Sequence, residues 1–151
     1  MAGPVLDPTV LALRLLARRE YGRRELEAKL LHAGYEAGNI REALDKLAAS
    51  GYQDDQRYAE MLTRTRIRQG HGPLRLRQDL HRAGVDAPSD DSVDWLAQAR
   101  SVYQKRFGLV AIADARDYAR RARFLMGRGF TGDQVRQVLA ECGKNQDDCS
   151  E

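Results

Sequence analysis

Between Arg57 and Arg82 the sequence places seven arginines against two acids, Glu60 and Asp79. The chemistry open to such a stretch is anion binding. A guanidinium is planar, permanently charged and able to grip a phosphate or carboxylate through two parallel hydrogen bonds. The excess returns between residues 100 and 132, where eight basic side chains face only Asp114 and Asp117. Residues 86–99 carry four aspartates and no basic residue, so a formal net charge of +3 conceals two basic blocks with an acidic one between them. A surface that meets a polyanion needs that distribution.

The other chemistries are poorly supplied. His32, His71 and His81 have no partner at metal-ligand spacing, and no nucleophile stands with a base at a recognisable interval. The sequence therefore predicts no catalytic residue, no metal and no cofactor. Gly127-Arg-Gly-Phe-Thr-Gly132 matches a dinucleotide fingerprint in spelling, but that fingerprint must follow a strand, and here it follows a helical pattern. Cys142 and Cys149 make no disulfide framework, and Cys142 falls on an apolar helical face as a buried thiol. No apolar run approaches the roughly 20 residues that span a bilayer, and the amino terminus lacks the features of a signal peptide. The expected setting is the cytoplasm, with no membrane contact.

The elements that must position these arginines read as helices. Asp7-Pro8 opens the first, running to about Arg19 with Leu11 and Leu15 on one face. The second starts near Arg23, carries Leu26, Leu30 and Ala33, and ends at Gly34. The third, from Asn39, bears Ile40, Ala43, Leu44, Leu47 and Ala48 as a full stripe and closes at Gly51. A helix capped by Asp54 or Asp55 places Tyr58, Met61, Leu62 and Thr65 inward, and Gly72-Pro73 opens another with Leu76, Leu80 and Ala83. After Val85 comes an acidic loop through Asp94, feeding a helix from about Ser92 to Phe107 with Leu96, Ala99, Val102, Tyr103 and Phe107 inward. A helix from Asp114 shows Ala115, Tyr118, Ala119, Ala122, Leu125 and Met126 on one arc, with Phe124 opposite. The last opens on the capping box Thr131-Gly-Asp-Gln134 and carries Val135, Val138, Leu139 and Cys142.

Leu26, Leu30 and Gly34 recur as Leu76, Leu80 and Gly84, and more loosely at Leu125 and Gly129. Helices this short are marginal alone and must bury their stripes on one another. The expected architecture is all-α: an elongated array of three tandem three-helix repeats, with the third helix of the middle repeat shortened or absent. The repeats span 1–52, 53–92 and 93–142, followed by an acidic tail, 143–151.

Helical spacing sorts the arginines. Arg57, Arg64 and Arg68 share one arc; Arg75 and Arg82 share a side, with Arg77 on the other flank of the leucines. Arg116, Arg120 and Arg123 form one arc of the later helix, and Arg121 and Arg128 another. These eleven are the candidate binding residues. A solvated face is the plain alternative, with arginine stems covering the apolar stripe, but the middle block has too few acids to pair with. The residues themselves leave nucleic acid and acidic protein equally open as the partner. The helix from Pro73 also has the form of a recognition helix, so an independent DNA- or RNA-binding protein of helix-turn-helix type is the alternative function.

Four segments together resemble the bacterial RecX regulators of the recombinase RecA. They are Arg23-Arg24-Glu25-Leu26-x-x-Lys29-Leu30, Gly51-Tyr52-x-Asp54-Asp55-x-Arg57-Tyr58-Ala59, Gly70-His71-Gly72-Pro73-x-x-Leu76-Arg77-x-Asp79-Leu80-x-x-x-Gly84-Val85 and Arg123-Phe124-Leu125-x-x-Arg128-Gly129-Phe130. The resemblance covers about residues 9 to 140. It implies three tandem three-helix repeats and a non-enzymatic function: lodging in the groove of the RecA–single-stranded DNA filament and suppressing RecA's ATPase, strand exchange and coprotease activities, with consequences for recombination and the SOS response. It implies a RecA filament and its DNA as partners, a monomeric chain, and filament contacts by the arginines of the second and third repeats. The segment Asp86 to Asp94 departs from the family pattern, which has a helix there.

Overall fold

A computed structural model describes residues 6–86 and 92–147, the side chains of residues 144–147 excepted. Every regular element among them is an α-helix: α1 (Pro8–Leu16), α2 (Arg23–His32), α3 (Ala37–Ala49), α4 (Asp55–Arg68), α5 (Pro73–Arg82), α6 (Trp95–Phe107), α7 (Ala115–Gly127) and α8 (Gly132–Asp147). The all-α expectation and its three-helix repeats hold. The acidic loop expected after Val85 lies in part outside the described residues.

The caps explain most helix starts. Asp7 accepts the Thr9 N–H at 2.7 Å to open α1, Asp94 accepts that of Ala97 at 3.0 Å to open α6, and Asp114 accepts that of Asp117 at 2.8 Å to open α7. Of the two candidates before α4, Asp54 is the cap, bonded by the N–H groups of Gln56 and Arg57. Asp55 turns away and accepts the Arg23 N–H at 2.8 Å, supplying α2 with the side-chain acceptor its own Gly22 lacks. The Thr131–Gln134 box closes reciprocally: the Thr131 N–H donates to the Gln134 amide oxygen at 2.9 Å and the Gln134 N–H to the Thr131 hydroxyl at 3.2 Å. Four boundaries move. α1 ends at Leu16, three residues before Arg19; α3 begins at Ala37, two residues before Asn39; α6 begins at Trp95, not Ser92; and α8 continues through Gly143 to Asp147, into the segment expected to be a separate tail.

The chain divides into two compact units. Residues up to Leu62, together with the stretch from Leu80, form the first; Thr63–Asp79 and the chain from Ser92 form the second. In the first, α1 and α2 pack on α3 around Ala12, Tyr21, Leu26, Leu30, Ile40, Leu44 and Leu47. In the second, α6 and α7 pack on α8 around Ala99, Val102, Tyr103, Leu125, Phe130, Val135, Val138 and Leu139. Cys142 is half-buried against that core.

The turn before α5 is clasped within the second unit. The Gly72 N–H donates to the Arg128 carbonyl at 2.8 Å and the Leu74 N–H to the Gly129 carbonyl at 2.9 Å. A Cβ on Gly72 would stand 2.5 Å from the Gly129 carbonyl carbon, and Gly129 itself sits at φ +95°, so both residues must lack a side chain for the backbones to meet. The glycine spelling near Gly127 is thereby explained. Gly127 ends α7, Gly129 makes the turn and Gly132 begins α8, so the spelling follows a helix and not the strand that a dinucleotide fingerprint requires.

α7 is the element whose orientation the sequence misjudges. Tyr118 and Met126, expected inward, are 40% and 57% exposed, while Arg121, expected at the surface, is 3% exposed. Phe124 turns inward as well, meeting Phe107 edge-on with ring centroids 5.4 Å apart. A hydrophobicity wheel cannot find this rotation, because it assigns a charged residue to water without asking whether the interior can satisfy it.

Candidate functional site

Arg121 shows how completely an arginine can be absorbed by the fold. Its guanidinium donates to the Tyr103 hydroxyl at 2.6 Å, the Val110 carbonyl at 2.8 Å and the Ala111 carbonyl at 3.0 Å, and pairs with Asp117 at 3.0 Å. Asp117 also accepts from the Ala113 N–H at 3.0 Å and from Arg120 at 2.8 Å. These contacts, the Ala113 N–H first, hold the Asp117 carboxyl far below the ordinary carboxylate range. Burial is the main influence on Tyr103 and pushes its hydroxyl up. Arg121 therefore pins the Val110–Ala111 loop to α6 and α7, and is corrected here from a candidate contact to a structural residue.

Other candidates are partly committed. In the first unit Arg57 donates to Glu20 at 3.0 Å and to the Gly51 carbonyl at 2.6 Å, bracing the start of α4. In the second, Arg75 lies 3.6 Å from Asp79, which Arg66 holds more tightly at 2.7 Å. Arg120 is tied to Asp117 but largely exposed. Arg128 donates to the Gln69 carbonyl at 3.2 Å and lies over the Phe124 ring, 5.2 Å from its centroid.

The rest stand free. Arg64, Arg68, Arg77, Arg116 and Arg123 of the second unit and Arg82 of the first are exposed, and among the described residues none has a carboxylate within ion-pair distance. The surrounding arginines do find acids: Arg100 grips Glu141 with two bonds of 2.8 and 3.0 Å, and Arg136 pairs with Asp133. The unpaired ones are thus a subset left over by the fold.

The structure adds two cations that sequence reasoning passed over, Lys105 and Arg106. Both are exposed in the last turn of α6, where basic residues commonly favour the helix dipole, so their position in the sequence carried a sufficient local explanation. With Arg68 and Arg128 they line a depression of about 250 Å³ in the second unit. Among the described residues no three potential metal ligands come together, and no helix is long and apolar enough to cross a membrane.

Comparison with known proteins identifies the scaffold that holds these side chains. Models of the first, second and third three-helix domains of RecX match residues 10–47, 54–88 and 92–139. The regulatory protein RecX of Acidithiobacillus ferrooxidans is 70% identical over 141 residues, covering 93% of each chain. That of Halorhodospira halophila is 45% identical over 142 residues, covering 90% of this chain and 88% of its own. The crystal structure of RecX from Lactobacillus salivarius is similar in fold, with a TM-score of 0.75 at 21% identity over 90% of this chain and 94% of that one. Three consecutive domain matches and close relatives along nearly the full length lead to one conclusion: the chain belongs to the RecX family of regulatory proteins, whose members are regulators and not enzymes.

Proposed function

We propose that this regulator acts by binding the RecA–single-stranded DNA filament in the cytoplasm, as a monomer, and suppressing RecA's ATPase, strand exchange and coprotease activities. The observation that carries the reading is the set of exposed arginines without carboxylate partners: Arg64, Arg68, Arg77, Arg116 and Arg123 in the second unit and Arg82 in the first. Like charge left uncompensated at a surface favours an anionic partner, and a nucleoprotein filament presents both phosphates and acidic side chains. The domain limits 1–52, 53–92 and 93–142 are part of the same proposal, each repeat contributing its own share of the contact.

The helix-turn-helix alternative is weakened by the start of α5. Its first turn faces the Gly129 backbone, with the Leu74 N–H bonded there and Arg75 drawn toward Asp79, so the end that would approach base edges is occupied. Measuring affinity for preformed RecA–DNA filaments and for naked DNA at physiological salt separates the two. Tighter binding to the filament is expected; equal affinity for both would defeat the filament reading.

A further inference from the structure

His71 stands inside the clasp that joins the start of α5 to the turn between α7 and α8. Its own N–H donates to the Arg66 carbonyl at 2.9 Å, and the next residue, Gly72, donates to the Arg128 carbonyl at 2.8 Å. The ring is half-buried, and its Nδ1 is shut off from solvent with no hydrogen-bond partner among the described residues. A neutral imidazole can leave one nitrogen as an unused acceptor, whereas an imidazolium carries an N–H on both and must donate from each. Nδ1 has nothing to donate to, and an unsatisfied buried donor is costly. The charged groups facing the ring oppose its protonation as well. Arg66 of α4, Arg75 of α5 and Arg128 after α7 bring guanidiniums; the opposing carboxylate, Asp79 of α5, is already held by Arg66 at 2.7 Å and approached by Arg75 at 3.6 Å.

The clasp has little room to adapt. A Cβ on Gly72 would stand 2.5 Å from the Gly129 carbonyl carbon, and one on Gly129 would stand 2.6 Å from the Arg75 Cβ, so the two backbones touch directly. Contacts packed this closely hold or part; they do not stretch. Gly70, at φ +79°, gives the segment a pivot just ahead of His71. We propose that His71 is an acid-sensitive latch: protonation of its ring parts the Gly72–Arg128 and Leu74–Gly129 backbone contacts and frees the first turn of α5, and deprotonation closes them again. Burial lowers the pKa of the ring, as do Arg75, Arg66 and Arg128, with Asp79 opposing. The closed clasp is therefore favoured above pH 6.5, and that advantage declines as pH falls below it. The turn it releases carries the exposed Leu74 and Arg75, so acid changes how this end of α5 is presented. The inference stands apart from the filament reading and is testable without RecA.

The test is residue-resolved amide hydrogen exchange by NMR on the full chain at about pH 7.5 and about pH 5, each rate divided by the intrinsic rate at that pH. Protection of the Gly72 and Leu74 amides should fall on the order of tenfold in acid, the scale of one unsatisfied buried donor. The Leu125 and Leu139 amides, in the core of the same unit, should keep theirs. In His71→Gln, which cannot take up the proton, the acid-dependent loss should vanish. Protection that persists at a pH where the ring resonances report His71 protonated, an equal loss in His71→Gln, or a loss shared by Leu125 and Leu139 would each overturn the proposal. If glutamine itself leaves the clasp open at neutral pH, Arg75→Gln decides: with one guanidinium fewer beside the ring the loss should shrink, and an undiminished loss would overturn the latch.

Discussion

Removing the Arg121 guanidinium would leave the Tyr103 hydroxyl, two loop carbonyls and the Asp117 carboxylate without their shared donor. Breaking a buried charged network from one side costs more than the net value of the network, because the remaining groups stay desolvated. Arg121→Met is therefore expected to destabilise the protein by about 3 kcal/mol, read by denaturant unfolding, whereas Arg123→Met, two positions on and exposed, should change stability little. A second residue-scale prediction concerns acid. The Asp117 carboxyl, held low by the Ala113 N–H and by Arg120 and Arg121, contributes stability above its ordinary value near 3.8 that is lost as pH falls through and below it. His71 is lowered by burial, then by Arg75, Arg66 and Arg128, with Asp79 opposing. It favours the neutral ring in the folded state, so its contribution is present above pH 6.5 and declines as pH falls below that value. Unfolding curves from pH 8 to 2 should show stability falling in both windows; His71→Gln should flatten the upper one and Asp117→Asn the lower. At this scale the sequence supplied the inventory of charges without their partners. Nothing in the spacing of Arg121 distinguishes it from Arg120 or Arg123, since the carbonyls it satisfies belong to a loop ten and eleven residues away.

The helices themselves were legible wherever a local signal ended them. Asp7, Asp114 and the Thr131–Gln134 box mark starts that the hydrogen bonds confirm, whereas the cap at Asp94 was passed over for Ser92; Leu26, Leu30, Ile40, Leu44 and Leu47 form the core their spacing indicated. Orientation failed on α7, where the apolar residues are small or amphipathic and the deciding contacts are polar. Gly143 in α8 likewise failed as a terminator, because a glycine ends a helix only where the chain turns out of it. The core assignment predicts that Leu30→Ala and Leu80→Ala, at positions 0% and 1% exposed, each cost about 2–5 kcal/mol. Leu109→Ala, at a position 93% exposed, should cost almost nothing. Equal effects at all three would mean that the leucine repeat is not what holds the units together.

For the whole molecule, a net charge of +3 says little, and the division into paired and unpaired arginines says more. The sequence revealed two basic blocks and a repeated unit. It could not show that Lys105 and Arg106 join Arg68 and Arg128 around one depression, because those residues are far apart along the chain and meet only through the packing of the second unit. A regulator that works through such a surface should lose its effect when the surface is reversed and keep its fold, since exposed, unpaired arginines contribute little to stability. The most direct test is the ATPase turnover of preformed RecA–single-stranded DNA filaments as this protein is added, alone and as the quadruple variant Arg64→Glu, Arg68→Glu, Arg116→Glu, Arg123→Glu. Turnover should fall with the unaltered chain and stay at its starting rate with the folded variant; undiminished turnover with the unaltered chain, or equal suppression by both, would contradict the account.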